Sequence, residues 1–234
     1  MDHPFPKAIE ILINAALAET RANPKHQLSH QRRREIYAAI RANTDQGVRN
    51  VLGWLAVITA KRVLPIFQEA FPEETLPQEL LNTAIGVLRG QVDDDKAKEV
   101  QDLGYNASGH TWGYDEEEMP WTVDIAGKAA YHALKEARCQ EPLQYLDRVH
   151  ILGVVDMDSG ELTEHPEPLA GEQFTDEELC ENESSDAAGA AAVAFSCGAE
   201  GPWCDSERLG AFWVWWLKEA IPEAWETAYR EKVT

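Results

Sequence analysis

Lysine and arginine are scarce in this sequence of 234 residues, with 21 of them against 41 aspartates and glutamates and a formal net charge of −20. Between Arg148 and Arg208 they are absent, while fifteen acidic residues fall in that interval. The first 62 residues carry a net charge of +5 and the rest one of −25. This excess of acid repels nucleic acid and anionic membranes, so we expect neither as a partner, and it favours basic partners.

Cysteine is also infrequent. The four cysteines (Cys139, Cys180, Cys197 and Cys204) are too few and too widely spaced for a disulfide scaffold in a chain of this length. No CxxC pair is present to bind a metal, and the sequence therefore predicts reduced structural thiols. The N-terminal residues lack the basic and apolar segments of a signal peptide, and no apolar run approaches the ~20 residues that span a bilayer. These absences predict a cytoplasmic protein without a membrane anchor.

The sequence motifs of common enzymes are missing as well. There is no GxxxxGK[ST] phosphate loop, no GxSxG elbow, no HExxH zinc site and no GxGxxG loop after a strand. The segment DMDSGE begins like a calcium loop, but its third ligand position is Gly160. We therefore predict no catalytic residues, no bound metal and no cofactor.

Two histidines keep an enzymatic alternative open, because a general base needs a partner within hydrogen-bonding reach. His110 lies in the glycine-containing stretch SGHTWGYD, five residues before Asp115. His132 lies two helical turns after Asp124 and one turn before Glu136, so a buried pair is feasible. A structural role is the simpler interpretation of both histidines.

Most of the chain has the pattern of amphipathic helices. In the first helix the apolar residues recur at i, i+3, i+4 and i+7. Asn23 and Pro24 end this helix, because proline disfavours the helical conformation in the residue before it. Ser29 is a suitable N-cap for the second helix, on which we expect Arg32–Arg34 to face outward. The positions of the first apolar stripe are Ile9, Leu12, Ile13 and Ala16.

A third helix is apolar on nearly all sides between Val51 and Ile58, which predicts a central buried helix. Proline removes a backbone donor, so we expect this helix to bend at Pro65 and to stop by Pro72. Pro77 suits the first turn of the next helix, and Gly90 suits its end. The stretch KRVLPIFQEAFPEETLPQELL is thus a helix, a corner and a helix, without reactive residues.

The second half of the chain combines further helices with an acidic insertion. We predict helices that begin near Asp93, Trp121 and Asp186, an insertion over residues 142–186 that contains a short hairpin, and a tryptophan-rich helix over residues 206–232. The crowding of aromatic residues in AFWVWWL favours a helix packed in the core or covered by a partner. The fold class we predict is all-α, with residues 1–234 forming one multi-helix domain.

Acidic clusters are the strongest indication of function. They recur in the sequence at residues 93–95, 115–118 and 176–178. Such a surface attracts a basic protein and accelerates its association at low salt. Trp203 is a candidate aromatic anchor beside these acids. The residues that we predict to bind a partner are Asp115, Glu116, Glu117, Glu118, Asp176, Glu177, Glu178 and Trp203.

One stretch resembles a known family. AKRVLPIFQEAFPEETLPQELLNTAIGVLRGQV is similar to the signature of an all-helical family of predicted immunity proteins from bacterial polymorphic toxin systems. The alanine-rich segments DIAGKAAYHALKEA and DAAGAAAVAFSCGA are similar in character to the later helices of that family. The resemblance covers about residues 50–140, and the acidic insertion and the tryptophan-rich end depart from it. It implies binding and inactivation of a toxin that the same cell makes, and it implies no catalytic residues.

We therefore predict a stoichiometric inhibitor that binds and occludes a cognate, basic bacterial toxin. Two alternatives remain at this stage. The first is an enzyme that uses His110 or His132 with a nearby aspartate. The second is a structural subunit whose tryptophan-rich helix is covered by another copy of the chain. The sequence leaves the oligomeric state and the identity of the toxin open.

Overall fold

The computed structural model describes residues 4–44, 50–114, 119–138, 186–197 and 205–231. Helices are the regular elements of these ranges, which confirms the all-α fold class. A 3₁₀ turn, Thr111–Gly113, follows α5, and a π-helical turn, Trp216–Ala220, joins α8 to α9. The helices are α1 (Lys7–Ala22), α2 (His30–Asn43), α3 (Val51–Ala70), α4 (Leu76–Leu88), α5 (Asp94–Gly109), α6 (Trp121–Arg138), α7 (Ala187–Ser196), α8 (Ser206–Trp215) and α9 (Ile221–Arg230).

Helices α3 and α6 form the centre of the bundle. They make the most extensive contact in the described structure, and α4, α7 and α9 pack around α3 while α4, α5 and α7 pack around α6. Helix α3 is long and apolar enough to cross a membrane, but 67% of its most apolar window is buried inside the protein. It therefore has the burial of a core helix, as the apolar run from Val51 to Ile58 predicts.

Local sequence signals correctly predict several helix ends. Helix α1 ends one residue before Asn23, and the Ser29 hydroxyl caps α2 by accepting from the Arg32 N–H. Pro77 lies in the first turn of α4. Gly90, two residues beyond this helix, has a φ of 69°, a left-handed conformation that glycine adopts without strain. Pro65 lies inside α3, which continues to Ala70.

The tryptophan-rich segment is part of the core. Trp213 and Trp216 are buried, and the Trp216 Nε1–H donates to the Thr59 Oγ1 of α3 over 3.1 Å. The ring of Tyr37 in α2 meets the Trp216 ring edge-on at 5.9 Å between centroids. The chain itself thus covers these side chains, so a second copy is not needed to bury them.

Two predictions about individual residues are wrong. Arg33 does not face outward with Arg32 and Arg34; it is fully buried, because it lies on the same helical stripe as the buried Ile36 and Tyr37. Cys197 is disulfide-bonded rather than reduced, and the other three cysteines lie outside the described residues. Disulfides are rare in the reducing cytosol, so the disulfide at Cys197 counts against a cytoplasmic location. That location stays a prediction.

The acidic insertion lies almost entirely outside the described residues, as does the hairpin that we predict within it. The division of the chain into one helical domain with an insertion therefore stays a prediction. Asp186, the last residue of the insertion, is described and caps α7 through a hydrogen bond of 2.6 Å from the Gly189 N–H.

We expect Gly127→Ala in α6 to destabilise the fold. A Cβ at this position would lie 2.5 Å from Cζ2 of Trp112 and 3.0 Å from Cε2 of Phe67, and overpacking of this kind costs about 1–3 kcal/mol. Urea unfolding measures the difference. Gly109→Ala is the control, because apart from its chain neighbours and its own helix backbone no atom lies within 4 Å of its Cβ position, and we expect a change within about 0.5 kcal/mol there. Equal unfolding midpoints for the two variants would contradict this packing.

Candidate functional site

The predicted partner-binding residues lie outside the part of the chain that the structure describes, so their assignment stays a prediction. This holds for both acidic clusters and for the candidate aromatic anchor. The residues concerned are Asp115, Glu116, Glu117, Glu118, Asp176, Glu177, Glu178 and Trp203.

His110 lies at the exposed C-terminal end of α5 and is the cap residue of that helix. Its backbone N–H donates to the Ala107 carbonyl over 3.0 Å. The nearby Ser108 hydroxyl donates to the Tyr105 carbonyl, also over 3.0 Å, and Asp115 is outside the described residues. The described contacts of this segment are therefore those of a helix end.

Asp124 is engaged by groups other than His132. Its Oδ1 accepts from the Trp112 Nε1–H over 3.0 Å, and its Oδ2 forms an ion pair of 2.7 Å with Lys128. The Nδ1 atom of His132 is buried and has no hydrogen-bonding partner among the described residues. Burial, together with the positive charge of Lys135, lowers the pKa of His132 to about 4. The histidine is thus neutral at physiological pH, without the Asp124 contact that an acid–base pair would need.

Four buried side chains form a polar assembly in the interior, which we call the buried polar cluster: Arg33, Tyr37, Glu136 and Asp186. Arg33 Nε lies 3.5 Å from Asp186 Oδ2, and both side chains are almost completely inaccessible. The Tyr37 hydroxyl donates to the same oxygen over 3.1 Å. A buried charge is tolerated only when it is paired and hydrogen-bonded, so the cluster holds α2 against the start of α7.

Glu136 joins α6 to this cluster. Its Oε1 accepts from the Ala187 N–H over 2.8 Å, next to the helix N-terminus that Asp186 caps. Burial, with the Asp186 carboxylate nearby, raises the pKa of Glu136 to about 8. Burial and the same carboxylate raise the pKa of Tyr37 well above its usual value. At neutral pH Glu136 is therefore protonated beside the Arg33–Asp186 ion pair, an arrangement suited to structure.

Metal binding has no support within the described ranges. No group of three or more histidine, cysteine, aspartate or glutamate side chains there could hold an ion. The acidic residues of these helices are instead engaged in caps and ion pairs or directed to solvent.

The outward side of α5 differs from the rest of the described surface, and we call it the α5 surface, formed by Asp95, Glu99, Asp102, Leu103 and Tyr105. All five side chains are exposed. Leu103 and Tyr105 are 51% and 65% exposed, and the only other large hydrophobic residue so exposed in the described ranges is Ile11 on α1. Leu103 lies one turn after Glu99 and Tyr105 one turn after Asp102, so the two apolar side chains flank the row of acids on opposite sides of the exposed half of α5.

The charges near the α5 surface are partly neutralised. Lys96 forms an ion pair of 2.9 Å with Glu99, and Arg138 forms one of 2.9 Å with Asp94. Asp95 and Asp102 make no ion pair with any described residue. Residues 93–109 carry five acidic residues against two lysines, so this surface keeps a net negative charge.

The sequence indicates only part of this surface. The cluster at residues 93–95 draws attention to the start of α5, but Leu103 and Tyr105 pass unnoticed among the apolar residues. Their signal is positional, since Ala97, Val100 and Gly104 supply the buried stripe of this helix and Leu103 lies outside it.

A model of a protein family, described as Imm5, immunity protein Imm5, matches residues 13–223. The match covers nearly the whole chain and extends well beyond residues 50–140, on which the resemblance was recognised. The predicted family is thereby confirmed. No curated protein matches the sequence.

We expect the stability of the fold to decline between pH 6.5 and about 8 because of Glu136. The unfolded chain releases the Glu136 proton near pH 4.5, whereas the folded protein keeps it to about pH 8, so the free energy of unfolding falls as pH rises through this window. His132 acts in the opposite sense below pH 6.5, since only the unfolded chain takes up its proton until about pH 4. Among the described residues with a shifted pKa, only Glu136 titrates between pH 6.5 and 8, and we expect a loss of about 2 kcal/mol there.

Glu136→Gln tests this expectation, because its amide oxygen can still accept from the Ala187 N–H but has no proton to lose. Urea unfolding at several pH values between 6.5 and 8 should give a flat profile for this variant. Glu226→Gln, at an exposed position of α9, should keep the wild-type slope. The same slope in all three proteins would exclude Glu136 as its source.

Proposed function

Because the chain belongs to the Imm5 family of immunity proteins, we propose that it binds a cognate, basic toxin stoichiometrically and occludes the surface through which that toxin acts. An immunity protein has a toxin as its partner, and the family is not one of enzymes, as the sequence predicts. The basic character of the toxin and the mode of occlusion are our inference from the charge of the chain. We further propose that this encounter takes place in the cytoplasm.

The observation that carries the proposal is the distribution of charge. Residues 63–234 have a net charge of −25, and the described ion pairs neutralise only a few of their acids. A concentrated negative potential accelerates the approach of a positively charged protein, and its effect falls as salt is added. Inhibition by occlusion needs only such a complementary surface and no reacting group.

The enzymatic alternative has no supporting contact in the described residues. Trp112 and Lys128 occupy the Asp124 carboxylate, and the His110 segment is tied by helix-end hydrogen bonds. A toxin-binding role fits these arrangements without further assumptions.

The experiment that tests the function has two stages. The immobilised chain is exposed to a lysate of its own host and eluted with rising salt, and any protein that elutes at a one-to-one ratio is identified by mass spectrometry. That protein is then produced in a surrogate host with and without the chain. We expect arrest of growth by the captured protein alone and normal growth when the chain is present. A captured protein that does not arrest growth, or an arrest that the chain does not relieve, would contradict the proposal.

We expect the predicted acidic clusters to control the association rate. Changing Asp115, Glu116–Glu118 and Asp176–Glu178 to the corresponding amides should lower the rate constant for binding the captured toxin about tenfold at low salt and much less at high salt, because the steering potential is screened there. Surface plasmon resonance at several salt concentrations measures this. The matched control has the same change of charge at exposed positions, namely Glu10, Glu69, Glu73, Glu207, Glu219, Glu223 and Glu226 changed to glutamine.

If the two seven-residue variants associate at the same rate, the location of the acids is irrelevant and only net charge matters. If both retain the wild-type rate and salt dependence, electrostatic recognition by these clusters is wrong, while the neutralisation assay still reports on immunity itself.

A further inference from the structure

We propose that the α5 surface docks the toxin, with Leu103 and Tyr105 as apolar anchors and Asp95, Glu99 and Asp102 as the charges that meet basic side chains. The inference rests on the proposed function and adds a location for the interface. Of the five residues of this surface, the sequence singles out only Asp95.

The two anchors are large apolar side chains that the fold leaves exposed to water. Leu103 and Tyr105 lie two residues apart on one helix and leave more than half of their side chains in water. Because residues two apart in an α-helix point about 160° away from each other, the two anchors flank the row of acids on either side. A partner that lies along the outer half of α5 contacts both, and tyrosine is enriched among the residues that dominate binding. Water leaves both side chains when a partner covers them.

The inner side of α5 explains why the outer side is available. Gly104 lies between the two anchors, and a Cβ there would come within 2.7 Å of Cδ2 of Leu80 on α4. Its absence lets α5 approach the bundle closely, with Ala97 and Val100 buried against it. The buried residues of α5 therefore hold the helix against the bundle, and Leu103 and Tyr105 project from its outer half.

The charge of the surface favours a basic partner. Asp95 and Asp102 make no ion pair with a described residue, and Glu99 pairs only with the exposed Lys96. Lysines or arginines of a partner can therefore approach these carboxylates without displacing a buried contact. Nucleic acid and anionic membranes would be repelled by the same charges.

A second copy of the chain fits this surface poorly. In a twofold dimer the same patch lies on both sides of the interface, so Asp95, Glu99 and Asp102 would face an identical set of acids. Like charges brought together in this way oppose association. A basic toxin meets both requirements of the surface, an apolar contact and opposite charge.

Single substitutions test the anchors in the full chain with the toxin captured as described above. We expect Leu103→Ala and Tyr105→Ala each to weaken the affinity at least ~10-fold, mainly by faster dissociation, because buried anchors act on the dissociation rate. Ile11→Ala is the matched control, since Ile11 is 60% exposed on α1, and it should bind as the wild type does. Circular dichroism and urea unfolding establish that each variant is folded.

A triple variant tests the charges. Asp95→Asn, Glu99→Gln and Asp102→Asn together should slow association several-fold at low salt, since steering depends on local potential. The control is Glu10→Gln with Glu223→Gln and Glu226→Gln, which changes the net charge equally at exposed positions of α1 and α9.

The outcomes separate this inference from the proposed function. Wild-type affinity in both anchor variants and a normal association rate in the triple variant would overturn the α5 interface, even though the wild-type chain still neutralises the toxin. Failure of the wild-type chain to neutralise any captured protein would overturn the proposed function itself. Weaker binding by the anchor variants and not by Ile11→Ala supports the interface.

Discussion

The burial of Arg33 is the constraint on which the arrangement of the helices depends. A guanidinium group removed from water needs a carboxylate and further hydrogen bonds, and removing one member of such a pair typically costs several kcal/mol. Asp186 supplies the carboxylate from a position 153 residues away in the sequence. Because Asp186 also caps α7, its pairing with Arg33 places the N-terminus of α7 against α2.

The cluster also joins the end of α6 to the start of α7. Glu136, near the end of α6, accepts from the first residue of α7, and Asn50 Nδ2 donates to the carbonyls of Glu136 and Ala137 over 3.0 and 3.2 Å. The last turn of α6 and the first turn of α7 therefore meet at one buried point.

Interior and exterior thus use acidic residues in different ways. Inside, Asp186 is paired with Arg33 and Glu136 is kept neutral by burial, which makes these groups structural. Outside, Asp95 and Asp102 remain without an ion pair among the described residues. Only solvent-facing carboxylates contribute to a long-range potential that a basic partner can sense. This division suits an immunity protein, whose task is to bind and to persist rather than to catalyse.

Local chemistry along the chain was sufficient to predict the all-α class, the ends of α1 and α4, the cap of α2 and the burial of α3, because proline, glycine, serine and apolar periodicity act over a few residues. The family, too, was recognisable from the chain alone. The sequence places Arg33 wrongly because an arginine is expected in water, whereas this one lies on the buried stripe with Ile36 and Tyr37. Only the tertiary structure decided that a distant aspartate would neutralise it, that Trp112 would occupy Asp124, and that Leu103 and Tyr105 would face water. These outcomes depend on which helices meet, and contacts between residues far apart in sequence leave no local pattern from which they could be predicted.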